Sequence, residues 1–210
     1  LTADQLTVLS DIRKDLHGSR PMARLVQGDV GSGKTLTAFI SALQPIQQGR
    51  QAAFMAPTEL LARQHAENAA RLLEPLGVRL AYLTGTVPRS RRELILKALS
   101  EGEIDLIIGT HALFSRDVVF KDLGYVIVDE QHRFGVVQRI ALADKGDMPD
   151  LLLMTATPIP RTLALTVFGD LDVSTIRTLP PGRMPVKTHL ASEKSRERVY
   201  AAVQVEFDRG

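Results

Sequence analysis

Gly28-Asp29-Val30-Gly31-Ser32-Gly33-Lys34-Thr35, written GDVGSGKT, matches the whole pattern G-x-x-x-x-G-K-[ST]. It lies between an apolar run, ARLVQ (23–27), that reads as a strand, and a helical pattern over 34–47. That strand-loop-helix context is what the pattern requires. Its glycines let backbone N–H groups wrap around phosphate oxygens, and the helix N-terminus adds its positive end. In this arrangement Gly28, Asp29, Val30, Gly31, Ser32 and Gly33 form the cradle. Lys34 reaches the β- and γ-phosphates of a nucleotide, and the Thr35 hydroxyl binds Mg²⁺. The plain alternative is an ordinary Gly-rich turn. A chance match in a chain of this length is on the order of one percent, given average glycine usage of about 7%.

Outward from this loop, short apolar runs alternate with helical patterns. QAAFMA (51–56), VRLAYL (78–83), IDLIIG (104–109), YVIVD (125–129) and LLLMTA (151–156) read as further strands. They are almost continuously apolar, which suits a parallel sheet covered on both faces. Helices are expected near 34–47, 58–73, 89–100, 135–143 and 159–168. This alternation predicts right-handed crossovers and an open, doubly wound α/β sheet. In such a sheet, ligands gather at the carboxyl ends of the strands. From about residue 172 the pattern changes. LPPGRMPV (179–186) is rich in Pro and Gly and precedes a charged helix, so it reads as an exit linker. The expected division is 1–178 for the nucleotide-binding lobe and 179–210 for a linker and the start of a further lobe. The chain opens on Leu1 and closes on Asp208-Arg209-Gly210 after a helical pattern, so it is read as part of a longer protein.

The run VIVDEQHRFG (126–135) ends a buried strand in two adjacent carboxylates, an amide, an imidazole and a guanidinium. Such groups are costly to desolvate without a partner. After a P-loop, Asp129 stands where a second Mg²⁺ contact is needed. Glu130 can then orient or deprotonate the water that attacks the γ-phosphate of ATP. Lys34, Asp129 and Glu130 are therefore the catalytic set, with Thr35 and Asp129 the metal contacts.

Composition excludes several classes. The 210 residues are 44% hydrophobic and 24% charged, with a net charge of +2, too small to argue nucleic-acid binding by itself. With no cysteine, disulfides and cysteine-ligated metals are excluded, which fits a cytoplasmic protein. No apolar run approaches the roughly 20 residues of a membrane span, and no signal peptide is recognisable. His17 and His65 fall in expected helices and read as surface residues, and no spacing suggests a zinc site. The tyrosines and phenylalanines form no stacking platform of the kind single-strand binders use, which favours duplex over single-strand engagement.

Taken in order, GDVGSGKT, APTELLARQH (56–65), GTHALF (109–114), DEQH (129–132) and TATPIPRT (155–162) resemble the first motor lobe of superfamily 2 helicases. The resemblance covers nearly the whole chain and implies a RecA-like P-loop NTPase fold. QGDVGSGKT, DEQHRFGVVQR and MTATPIPRTL are similar to the RecG family of bacterial ATP-dependent helicases, which remodel stalled forks and Holliday junctions. The transcription-repair coupling factors share RFGV and TATPIPRTL. They typically carry Phe where Ser32 stands and Glu where Gln131 stands.

The resemblance implies residue roles. LTADQ (1–5) is similar to the adenine-recognition segment, with Gln5 pairing with the base edge. Gln131, His132, Thr155, Ala156 and Thr157 would couple nucleotide state to DNA grip. Pro57, Thr58, Glu59, Gly109, Thr110 and His111 would touch the DNA sugar-phosphate backbone, which positions a duplex without reading its sequence. Thr58 reads equally as a helix N-cap with Glu59 on the dipole. Thr84-Gly85, with Arg89, Arg91, Arg92 and Lys97, reads either as a DNA contact or as a solvated helix face. Arg133, Gln138 and Arg139 would couple to the next lobe, or belong to a surface helix.

The partners so implied are branched or double-stranded DNA and a second lobe of the same chain, in a monomeric motor. Phosphoryl transfer also calls for an arginine finger. In the family it comes from the second lobe, so this segment is expected to bind ATP and hydrolyse it poorly. A P-loop kinase or a GTPase-like switch is the rival from another class, but the chain lacks the N-K-x-D guanine-recognition segment. A passive DNA-binding module is a further alternative, disfavoured by the near-neutral charge.

Overall fold

The computed structural model describes residues 1–129, 148–157, 171–178 and 190–208. Its strands are β1 (Ala23–Gly28), β2 (Gln51–Met55), β3 (Leu80–Leu83), β4 (Leu106–Gly109), β5 (Leu123–Val128), β6 (Asp150–Thr155) and β7 (Asp172–Ile176). They form one sheet in the order β3-β4-β2-β5-β6-β1-β7, and every pairing is parallel. The helices α1 (Ala3–Leu16), α2 (Lys34–Gln47), α3 (Glu59–Leu73) and α4 (Arg89–Glu101) lie against it. The doubly wound α/β expectation is met. The helices expected near 135–143 and 159–168 fall outside the described residues.

Every residue of β2, β4 and β5 is buried, which accounts for their unbroken apolar runs. The pleat sends alternate side chains to opposite faces. Val26, Ala52, Phe54, Tyr125, Ile127 and Met154 join Val8, Ile12, Phe39, Ala42 and Ala69 of α1, α2 and α3 in one core layer. Leu25, Ala53, Met55, Val126, Val128 and Leu153 face the other way and meet Leu99 of α4. The sheet is thus sandwiched on both sides.

Two buried polar contacts hold these layers. The Tyr125 hydroxyl is fully enclosed and lies 2.8 Å from Ser41 Oγ, which itself donates to Ala38 O at 2.8 Å. With the serine proton spent on the carbonyl, the tyrosine is the donor to Ser41 Oγ. Burial pushes its phenol pKa upward, so it stays protonated. At the other edge, Arg24 of β1 donates to Asp15 Oδ2 (2.6 Å) and Ser174 Oγ (2.7 Å), and Ser174 donates to Asp11 Oδ2 (2.8 Å). This network binds α1, β1 and β7 together.

Strand β7 was not among the expected strands. Only Ser174 and Ile176 of its five residues are buried, and Ser174 is polar, so no apolar run marks it. β3 and β4 begin later than their apolar runs suggest. There the Asp105 carboxylate takes the Arg79 N–H at 2.7 Å.

The chain divides into two compact units, Leu1–Pro180 and Pro181–Gly210, a boundary inside the Pro-rich stretch. The second unit carries a helix, Arg196–Asp208, with no buried residue. Among the described residues no helix is long and apolar enough to cross a membrane.

Tyr125→Phe is expected to cost about 1–2 kcal/mol, because it strips a buried hydroxyl of its donor while leaving the ring's packing in place. Urea unfolding of the two proteins measures it, and an unchanged midpoint with an unchanged slope would contradict it.

Candidate functional site: a P-loop and a buried aspartate on one sheet edge

β1 ends at Gly28 and α2 begins at Lys34, so the GDVGSGKT segment is the turn between them. Gly31 (φ 77°) and Gly33 (φ 88°) take the left-handed conformation that glycine adopts without strain. A Cβ on Gly33 would also run into the Gln5 amide. A Cβ on Gly28 would come within 2.6 Å of Ser32 Oγ. The Ser32 hydroxyl is fully buried and has no hydrogen-bond partner among the described residues. The first turn of α2 holds no acidic residue, and its positive end faces the loop. Lys34 curls over the loop and donates from Nζ to Gly28 O (2.6 Å) and Asp29 O (2.9 Å). Thr35 follows, half-buried at the start of the helix.

Gln5 has a second task that the sequence reading missed. It closes a capping box as the third residue of α1: Thr2 N–H donates to Gln5 Oε1 (2.8 Å), and Gln5 N–H donates to Thr2 Oγ1 (3.3 Å). Its Nε2 donates to Ser32 O at 2.8 Å. The amide, 3% exposed, thus latches α1 to the phosphate loop. One residue earlier, Asp4 Oδ2 accepts from Arg177 N (2.8 Å), Thr178 N (2.7 Å) and Thr178 Oγ1 (2.9 Å). Those Thr178 and Arg177 backbone donors hold the Asp4 carboxyl below the usual carboxylate range. A cavity of about 360 Å³ opens beside the loop, lined by Gln27, Gly28, Asp29, Ala156, Thr175 and Arg177 among others.

Asp129 directly follows β5 and is 8% exposed. Its N–H donates to Met55 O at 2.8 Å, which anchors it to the end of β2. Its Oδ2 lies 2.9 Å from His65 Nε2. His65 is therefore not a surface residue: it is 9% exposed and stacked obliquely on Phe54. The signal was present, since Ala62, His65, Ala69 and Leu73 share the inward face of α3 at helical spacing. His17 is exposed, at the end of α1.

Strand order brings these groups to one edge. β6 lies between β5 and β1, with Thr155 in register with Gln27 and Leu153 with Val128. Thr155 Oγ1 is 3.0 Å from Thr157 Oγ1 and accepts from Thr157 N–H at 3.2 Å, with Ala156 between them. Glu130, Gln131 and His132, like Arg133, Gln138 and Arg139, lie outside the described residues. Among the described residues no group of three or more His, Asp and Glu gathers to hold a metal. A hydroxyl and one carboxylate, Thr35 and Asp129, are a donor set that suits Mg²⁺ carried largely by phosphate and water.

The residues expected to face DNA divide in two. Thr58 caps α3, its Oγ1 accepting from Leu61 N–H at 3.3 Å, yet it stays exposed, as do Gly85 and His111. Pro57 and Glu59 are half-buried, and Glu59 Oε2 accepts from Thr86 Oγ1 at 3.0 Å. Thr84 is fully buried and bonded to Thr86 Oγ1 at 3.1 Å, and Thr110 is 2% exposed. Their side chains lie behind the surface. Gly109 is buried as well, because β3 approaches so closely that a Cβ there would run into Leu83 O. On α4, Arg92 pairs with Asp117 and Ser115, Arg89 with Glu93 and Lys97 with Glu101, and Arg91 is exposed.

A phosphate-binding turn after β1 and a buried carboxylate after β5, on one edge of a parallel sheet, define a P-loop nucleotide-binding domain. Residues 2–166 match the family model described as DEAD/DEAH box helicase, and the chain belongs to that family. It is 57% identical over 217 residues to the ATP-dependent DNA helicase RecG of Treponema pallidum, an alignment covering 100% of this chain and 32% of the relative. The RecG of Borreliella burgdorferi is 51% identical over 210 residues, with 100% and 31% covered. The chain thus spans about a third of the length of these curated relatives. A solved structure of RecG bound to a three-way DNA junction superposes with a TM-score of 0.87 at 45% identity, covering 100% of this chain and 28% of the other. The helicase MrfA, at 19% identity and a TM-score of 0.69, shares the fold.

Asp4→Asn is expected to lower the melting temperature at neutral pH. Because the folded pKa is depressed, the carboxylate's contribution is present above the unfolded value and lost as pH falls through the folded one. Thermal scans at neutral pH and near about pH 3 should show the gap between variant and parent closing in acid. A gap that is constant across pH would contradict the clamp.

Proposed function

We propose that this chain is the ATP-binding motor lobe of a RecG-type, double-strand DNA translocase that remodels stalled forks and branch-migrates Holliday junctions in the cytoplasm. The observation that carries this reading is the shared sheet edge to which β1 and β5, flanking β6, bring Gly28–Thr35 and Asp129, in a chain similar to RecG along its whole length.

The residues present fit Mg·ATP. The turn between β1 and α2 offers backbone N–H groups and a helix N-terminus to the phosphates. Lys34 exchanges its bonds to Gly28 O and Asp29 O for phosphate oxygens. Thr35 and Asp129 would hold Mg²⁺, which would supply charge neutralisation of the phosphates. Glu130 orients the attacking water. Thr155 and Thr157, with Gln131 and His132, pass the state of the site to the DNA-facing surface. Thr58, Gly85 and His111, the exposed members of that set, contact the sugar-phosphate backbone of duplex or branched DNA. Charge stabilisation on the γ-phosphate comes from the second lobe of the parent chain, which acts as a monomer.

Two measurements test the reading. The ATPase rate of the parent chain is expected to rise most strongly with a three-way fork, less with linear duplex or single strand, and to be abolished by Lys34→Ala. Equal stimulation by any duplex would instead favour a coupling-factor type of translocase, and indifference to DNA would contradict the motor. The purified 210-residue segment is expected to bind ATP but turn it over at least about 10³-fold more slowly, the scale set by an absent arginine finger. Turnover near that of the parent would contradict the assignment of that finger to the second lobe.

A further inference from the structure

We infer that His65 is a positioning residue for the metal site: it fixes the carboxylate of Asp129, and thereby sets how strongly the domain holds Mg²⁺ with its nucleotide. This rests on the reading of Asp129 as a metal contact. The geometry that carries it is the 2.9 Å contact from His65 Nε2 to Asp129 Oδ2, with both residues almost entirely buried.

An imidazole on the inward face of a helix is costly unless it finds a partner. α3 places His65 there between Ala62 and Ala69, both fully buried. Two such small residues let the helix lie close to the sheet, so a side chain as short as histidine reaches the strand end. The ring is held from two directions. Phe54 of β2 packs against it with centroids 4.8 Å apart and planes at 49°, and the carboxylate receives Nε2. Asp129, for its part, has its backbone pinned by the bond from its N–H to Met55 O. The histidine contact restrains its side-chain torsions in turn. With the proton on Nε2 a neutral imidazole is a sufficient donor. Carboxylates that hold metals are characteristically restrained by such outer partners, and losing one typically costs 10–100-fold in metal affinity or activity.

The test uses the full-length parent protein and a fluorescent, non-hydrolysable ATP analogue, with Mg²⁺ titrated at fixed analogue. His65→Ala is expected to raise the Mg²⁺ concentration for half-maximal binding by about 10-fold or more, while Mg²⁺-free affinity for the analogue changes by less than about twofold. His65→Gln, whose Nε2 stands near the position of the imidazole Nε2, is expected to recover most of the loss. Asp129→Asn is the reference. If it shifts the Mg²⁺ dependence and His65→Ala does not, the inference is overturned and the metal reading of Asp129 stands. If Asp129→Asn leaves the dependence unchanged, that reading fails and the inference falls with it. If His65→Ala weakens Mg²⁺-free binding, lowers the melting temperature and is not rescued by Gln, His65 is a packing residue only.

Discussion

The parallel pairing of β5, β6 and β1 is the constraint on which the site depends. Because the three strands run in one direction, their carboxyl ends share an edge, and the residues that follow them are neighbours without being close in sequence. Antiparallel placement of β6 would send Thr155 to the far end of the sheet. The pairing stands on apolar burial: β5 is enclosed on both faces, and its alternate residues feed two separate core layers. A sheet buried in this way leaves its strand ends as the place where polar groups can face a ligand. Asp129, Thr155 and the phosphate loop occupy those ends.

The first turn of α1 is the second support. Thr2, Asp4 and Gln5 cap, respectively, the helix itself, the chain leaving β7 and the phosphate loop at Ser32. These hydrogen bonds bring together three segments far apart in sequence, and the Arg24 network repeats the connection at the other end of the same helix through Asp15 and Asp11. The loop that the nucleotide would bind is thus tied to a helix outside the motif, which gives the segment LTADQ a structural role beside the one its resemblance implies.

The fold was legible because a doubly covered sheet leaves a strong trace: uninterrupted apolar runs, separated by helices of the length a crossover needs. GDVGSGKT was equally plain, since its glycines answer backbone demands that no other residue meets. β7 left no such trace. It pairs on one side only, to β1, and its stability comes partly from Ser174 and Arg24, polar residues whose partnership is invisible in one dimension. His65 was misread for a related reason. A lone polar residue in a helix suggests solvent, and only the spacing of Ala62, Ala69 and Leu73 says otherwise. The place of Thr84 and Thr110 after strand ends suggests a surface position, but depth within a loop depends on what covers it. Glu130, expected to handle the attacking water, rests on its place beside Asp129 in a chain with a P-loop, and the two residues after it rest on sequence resemblance.

The most direct test of the central claim is a crystal structure of this chain with Mn²⁺ in place of Mg²⁺ and a non-hydrolysable ATP analogue, using the anomalous signal to locate the metal. The account predicts phosphates seated on the backbone of Gly31 to Thr35, Lys34 turned from Gly28 O and Asp29 O toward them, and the metal between the Thr35 hydroxyl and the Asp129 carboxylate. Phosphates bound elsewhere, or a metal that leaves Asp129 uninvolved, would contradict it.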